Sequence, residues 1–164
     1  MNFARIQGGI LARMEAPTQV GSNIVGAAVD QASVAELLTW LDGTGADQAD
    51  LYYRASGALA TEEAISLDVG DGTLEVAGES VAMARVKAIY LKNTSGTAAT
   101  IQLSGSNGAV GGGLVMLPGE WALRACPHAT AWPVTNGVTD TIDITNLSDT
   151  LAASYSLVVV GASA

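Results

Sequence analysis

Apolar and polar positions alternate in twos along much of the chain. In residues 140–146, Ile142 and Ile144 fall on one side and Thr141, Asp143 and Thr145 on the other, which is the period of a strand with one buried face. Residues 100–104 repeat the pattern with Ile101 and Leu103 inward. Residues 64–69 put Ile65, Leu67 and Val69 on one face, with Ser66 and Asp68 opposite. Residues 85–93 and 155–160 are apolar on both faces, as expected of central strands covered on both sides. Shorter strands are predicted at 22–29, 51–54, 73–77, 114–117, 121–125 and 131–135, with Pro133 suited to a sheet edge. Asp71-Gly72, residues 93–97 and Pro118-Gly119 mark turns, and residues 105–113 read as a flexible glycine-rich loop.

One stretch is written differently. Ser33 followed by Glu36 resembles a helix capping box, and Val34, Leu37, Leu38 and Leu41 fit a helical stripe. Trp40 and the Asp42-Gly43-Thr44-Gly45 that follows also suit a strand and turn; the reading prefers a short helix over 33–41. Residues 1–20 show little periodicity, a Gly8-Gly9 pair and two bases, and read as an extended N-terminal arm of the kind that orders on a partner. The remainder, 21–164, reads as one domain. About eight to ten short strands with turn signals between them predict an all-β fold: an antiparallel β-sandwich, jelly-roll-like or Greek-key. An α/β sheet would need helices between strands that the chain does not supply.

Composition sharpens this picture. Nearly half the 164 residues are apolar but only one is Phe, so Val, Ile, Leu and Ala must fill the core. The formal charge is −9 with seven bases. Nucleic acid is disfavoured as a partner, because binding it requires cations that neutralise phosphates, and an anionic membrane surface is disfavoured for the same reason. Ten of the acids lie between Glu36 and Glu79 against one base, Arg54; they read as a solvated face that keeps an apolar protein soluble. With Cys126 alone, no internal disulfide can form. The absence of a recognisable signal peptide or of an apolar run near the length of a membrane span points to synthesis in a cytoplasm, with export only as part of something larger.

Groups capable of chemistry are sparse. Cys126-Pro127-His128 sets the one Cys near the one His, but the intervening Pro splays such neighbours, and they read as an apolar filler and a loop imidazole. The acids from Asp68 to Glu75 lack the alternate spacing of a calcium loop. The glycines of 105–113 lack the Lys-Ser/Thr ending of a phosphate loop. Glu62 and Glu63, as neighbours in a strand, would point apart. Asn93-Thr-Ser and Asn146-Leu-Ser match a glycosylation sequon without any secretory context. No catalytic, metal or cofactor site is expected, and the chain reads as a binding or assembly protein rather than an enzyme.

The segments DGTGADQADLYYRASGALATEEAISLDVGDG, VKAIYLKNTSGTAATIQLSG, LPGEWALRACPHATAWPV and SYSLVVVGASA, spanning 42–164, resemble small structural proteins encoded in the virion gene clusters of tailed bacteriophages. The likeness lies in the order of strands and turns: a VKAIYLKN strand, a Pro-Gly hairpin, and an apolar last strand ending in small residues. It implies a place in a virus particle, on the capsid surface after assembly in the host cytoplasm. The expected role is a capsid decoration, or cement, protein that binds the major capsid protein and stabilises capsomer junctions, as a homo-oligomer with a trimer favoured. The arm residues expected to hold that partner are Phe3, Ile6, Ile10 and Leu11, with Arg5 and Arg13 as polar anchors. The competing expectation is a head fibre, spike or tail-associated module that binds a host surface or carbohydrate. Trp40, Trp121 or Trp132 exposed in a shallow groove would favour that module; buried indoles would favour decoration.

Overall fold

The computed structural model describes the backbone of residues 9–19 and 29–164, and side chains from Trp40 onward. Among the described residues there are thirteen strands and no helix, and every strand pair is antiparallel. The chain divides into two compact units, Met1–Trp40 and Leu41–Ala164.

In the first unit, β1 (Gly9–Gln19) pairs with β2 (Val29–Thr39), Gly9 opposite Thr39 and Gln19 opposite Val29. This corrects the expected helix over 33–41. A capping box is a local preference worth roughly 1 kcal/mol, whereas an unbroken antiparallel ladder of eleven paired positions bonds main-chain donors and acceptors at alternate residues along the whole segment. The strand expected at 22–29 lies outside the described residues apart from Val29, which opens β2.

The second unit is built from β3 (Leu51–Leu59), β4 (Ala64–Asp68), β5 (Leu74–Val76), β6 (Glu79–Val81), β7 (Arg85–Asn93), β8 (Ile101–Ser104), β9 (Leu114–Met116), β10 (Trp121–Ala125), β11 (Trp132–Pro133), β12 (Thr141–Asn146) and β13 (Ala153–Ala162). One sheet has the order β10-β7-β13-β3, with β11 also on β7; the other runs β4-β12-β8-β9; β5 and β6 pair separately. The connections β3–β4, β7–β8, β9–β10, β11–β12 and β12–β13 all pass from one sheet to the other. The Pro118-Gly119 turn is therefore not a hairpin, as the sequence suggested. Gly119 has φ 83° and the Glu120 N–H donates to the Leu117 carbonyl, so the turn is tight, yet the strands on either side of it pair with different partners.

Both sheets contribute to one buried cluster. Ile89 and Leu91 from β7 and Leu157 and Val159 from β13 join Ile101 and Leu103 from β8 and Ile142 and Ile144 from β12, all at most 2% exposed. Burying such a side chain contributes about 1.5–3 kcal/mol. The interior strands of the two sheets, β7, β13, β12 and β8, supply all of these residues.

Three buried asparagines fix the crossovers. Asn93 ends β7, Asn146 ends β12, and Asn107 follows β8; each is at most 1% exposed. Each Oδ1 accepts the N–H two residues on, from Ser95, Ser148 and Ala109 respectively. Each Nδ2 donates to carbonyls beyond its own turn: Ala99 and Met116 for Asn93, Leu59, Ala60 and Leu151 for Asn146, Pro133 and Thr139 for Asn107. Both sequon asparagines are thus occupied inside the fold.

Candidate interaction surface

The arm residues Phe3, Arg5 and Ile6 lie outside the described residues. Ile10, Leu11 and Arg13 fall on β1, opposite Leu38, Leu37 and Ala35 of β2.

The reactive-looking motifs of the second unit are spent on local structure. His128 Nδ1 accepts the Thr130 N–H and lies 2.8 Å from the Thr130 hydroxyl, while the Cys126 N–H donates to the Lys87 carbonyl. Asp68 Oδ1 accepts from the N–H groups of Gly70 and Asp71, and Asp71 Oδ1 accepts the N–H and hydroxyl of Thr73. The Thr73 bonds hold the Asp71 carboxyl below its ordinary pKa. Glu63 caps the Ala60 N–H. The loop 105–113 is anchored rather than free, because Ala109 and Val110 are buried and Arg124 donates to the Gly108 and Ala109 carbonyls. Among the described residues, no group of three His, Cys, Asp or Glu side chains is placed to hold a metal ion.

The cations are spent in the same way. Leu41–Ala164 holds thirteen of the sixteen acids and five of the seven bases, a net −8. Arg85 donates to the carbonyls of Ala129 and Ser163. Lys87 is fully buried, and its Nζ donates to the carbonyls of Gly45, His128 and Ala129. A register shift at Val160/Gly161 leaves Lys87 without a partner on β13; such a bulge re-aims a side chain. Burial lowers the Lys87 pKa, helped by the Arg85 charge and opposed by Cys126 and Asp47. Arg124 stands 5.3 Å from the Trp132 ring centre. Arg54 and Lys92 remain, and among the described residues neither is held by a carbonyl.

Arg54 and Lys92 share one face. Strand register sets two rows across the outer side of the five-stranded sheet: Leu123–Tyr90–Val158–Arg54 and Trp121–Lys92–Ser156–Ser56. None of these eight positions is buried and none is acidic. The outer side of the four-stranded sheet is the opposite in character, with Ser66 and Asp143 paired across it and hydrogen-bonded at 2.5 Å. At one margin of the acid-free face the surface turns apolar: Leu114, Val115, Leu117 and Trp121 are 42–55% exposed. Leu114, Val115 and Trp121 line an open groove of about 780 Å³ with Met116, Pro118, Gly119 and Glu120. Trp121 lies 6.2 Å from Tyr90, ring to ring. Apolar and aromatic surface depleted of charge is the composition of an interface core, and contiguous exposed apolar surface marks a contact site.

Of the three indoles, Trp40 is 5% exposed, Trp132 is half-buried and Trp121 is 53% exposed in the groove. Sequence periodicity could not single out Trp121, because its strand, β10, is short and its significance depends on a neighbouring strand from the other sheet. Comparison with protein-family models, curated proteins and solved structures finds no match.

Proposed function

We propose that this chain is a structural protein of a tailed-bacteriophage particle, a decoration protein that binds the outer shell and braces capsomer junctions by contact alone. Its second unit is read as an eight-stranded jelly-roll sandwich. Support comes from the strand order: two four-stranded runs, β3-β13-β7-β10 and β4-β12-β8-β9, traced by a chain that alternates between them, as double Greek-key folds do. The fold alone carries no function. The observation that carries the reading is the acid-free, aromatic outer face with its Trp121 margin on a unit of net −8. Groove chemistry favours a protein partner over a sugar: Glu120 is the one charged side chain lining it, and its carboxylate is occupied by the Leu117 N–H. A sugar site needs several free polar groups to fix orientation.

The second reading, a head fibre or tail-associated module for host carbohydrate, is favoured by the exposure of Trp121 itself, since aromatic rings stack on sugars. Binding to particles stripped of the protein separates the two. Decoration requires saturable rebinding to the shell that weakens when residues 1–16 are deleted or when Trp121 is replaced. Undiminished rebinding of both variants, or density on the tail in electron micrographs, would remove the decoration reading. Trimerisation, the major capsid protein as partner and the arm contacts stand as parts of this proposal.

A further inference from the structure

Two asparagines in the second unit precede glycine, and the fold treats them oppositely. Asn107, before Gly108, is 1% exposed, with its amide oxygen and nitrogen both engaged. Asn136, before Gly137, is exposed, and among the described residues its side chain has no hydrogen-bond partner. Gly137 has φ 73°, and no atom lies within 4 Å of where a Cβ would stand, so no neighbouring side chain packs over this glycine. That nitrogen's hydrogen is donated to Oδ2 of Asp140, a residue 3% exposed. We propose that Asn136-Gly137 is a site of spontaneous covalent modification, deamidation through a cyclic imide, with Asp140 as the base that takes the Gly137 proton.

The step balances without an outside reagent except water. The Gly137 nitrogen adds to the Asn136 side-chain carbonyl carbon while its proton passes to the Asp140 carboxylate. The N–Cγ bond closes the imide ring, the Cγ–Nδ2 bond breaks, and ammonia leaves with the proton returned from Asp140. Water then opens the imide at either carbonyl, giving aspartate or isoaspartate at position 136. Isoaspartate inserts an extra carbon into the main chain of a turn closed by the Val138 N–H on the Thr135 carbonyl, between β11 and β12.

The test is peptide mapping by mass spectrometry after the folded protein is incubated in mildly alkaline buffer, beside a sample held in denaturant. In denaturant both asparagines convert, because both precede glycine. In the folded protein Asn136 converts about tenfold or more faster than Asn107, whose reaction must wait for local unfolding. An Asn136 as inert as Asn107 in the folded protein, or equal conversion of the two, overturns the proposal. Asp140→Asn, with its fold checked by thermal unfolding, slows Asn136 conversion; an unchanged rate in a folded variant overturns the role given to Asp140. The wild-type comparison stands whether or not that variant folds.

Discussion

The Lys87 ammonium nitrogen lies 2.7 Å from the carbonyl oxygen of His128, inside the protein and with no carboxylate among its hydrogen-bond partners. A single side chain on β7 thereby ties down loop 126–131 and, through Gly45, the turn near residue 45. Replacing it with Met keeps the aliphatic stem but leaves the Gly45 and His128 carbonyls without a donor, while the Ala129 carbonyl keeps its bond from Arg85. Each orphaned polar group costs about 1–3 kcal/mol, and partial relaxation brings the expected loss to roughly 3 kcal/mol, read as a lower urea midpoint at unchanged m. Lys87→Arg restores little of it, because a planar guanidinium cannot copy the three directions of an ammonium. A Met variant as stable as the parent would mean that these bonds contribute nothing net.

The asparagine staples make a second prediction. Asn93→Asp and Asn146→Asp each replace an Nδ2 donor with an oxygen that faces those carbonyls, so attraction becomes repulsion in a buried setting. Each should cost about 3 kcal/mol or more. The Asn93 variant should also expose the β7–β8 crossover, visible as faster amide exchange at Ser95 and Ala99. Losses under about 1 kcal/mol would show that the turns hold without their asparagines.

Trp121 should behave in the opposite way. More than half exposed, it contributes to folding mainly through its contact with Tyr90, worth about 0.5–1.5 kcal/mol. Trp121→Ala should therefore shift thermal unfolding little. If the groove is the partner's seat, the same change weakens rebinding to stripped particles by about 2 kcal/mol or more, as truncation of a central aromatic does. Val115→Ser, at another exposed residue of the groove, should act in the same direction with a smaller effect. A variant that binds like the parent would move the contact elsewhere on the surface.

What could be read from the residues followed from burial on a single strand. Ile142 and Ile144, or Ile101 and Leu103, announce a period of two because each strand has one face inside. The segment 33–39 misled because a cap motif is local while its pairing with β1 is not; nothing within nine residues of Ser33 says that Glu15 lies opposite it. Pro118-Gly119 misled for a related reason: the turn is legible, but which sheet each neighbouring strand joins depends on distant β7 and β8. The acid-free face was illegible for the same cause. Arg54, Lys92 and Trp121 are far apart in sequence and meet only through the registers of β3, β13, β7 and β10.

Alkaline pH should separate two buried groups with opposite signs. Tyr155 is 8% exposed, and burial first, then Tyr53 and Glu63, raises its pKa above the ordinary 10.0. Above pH 10.0 the unfolded phenol loses its proton while the folded one keeps it, so the native state binds more protons and stability falls as pH rises. Its contribution is complete below the unfolded value and is lost as pH climbs through the folded one. Lys87 runs the other way. Its folded pKa is lowered from 10.5, so in the window below 10.5 the unfolded chain binds more protons and stability rises with pH. Urea midpoints measured across the alkaline range should thus fall less steeply for Tyr155→Phe than for the parent, and more steeply for Lys87→Met. Slopes, rather than absolute stabilities, are compared, because the Met variant starts lower. A Phe variant with the parent's slope would place the alkaline loss on some other group and leave the Tyr155 phenol out of it.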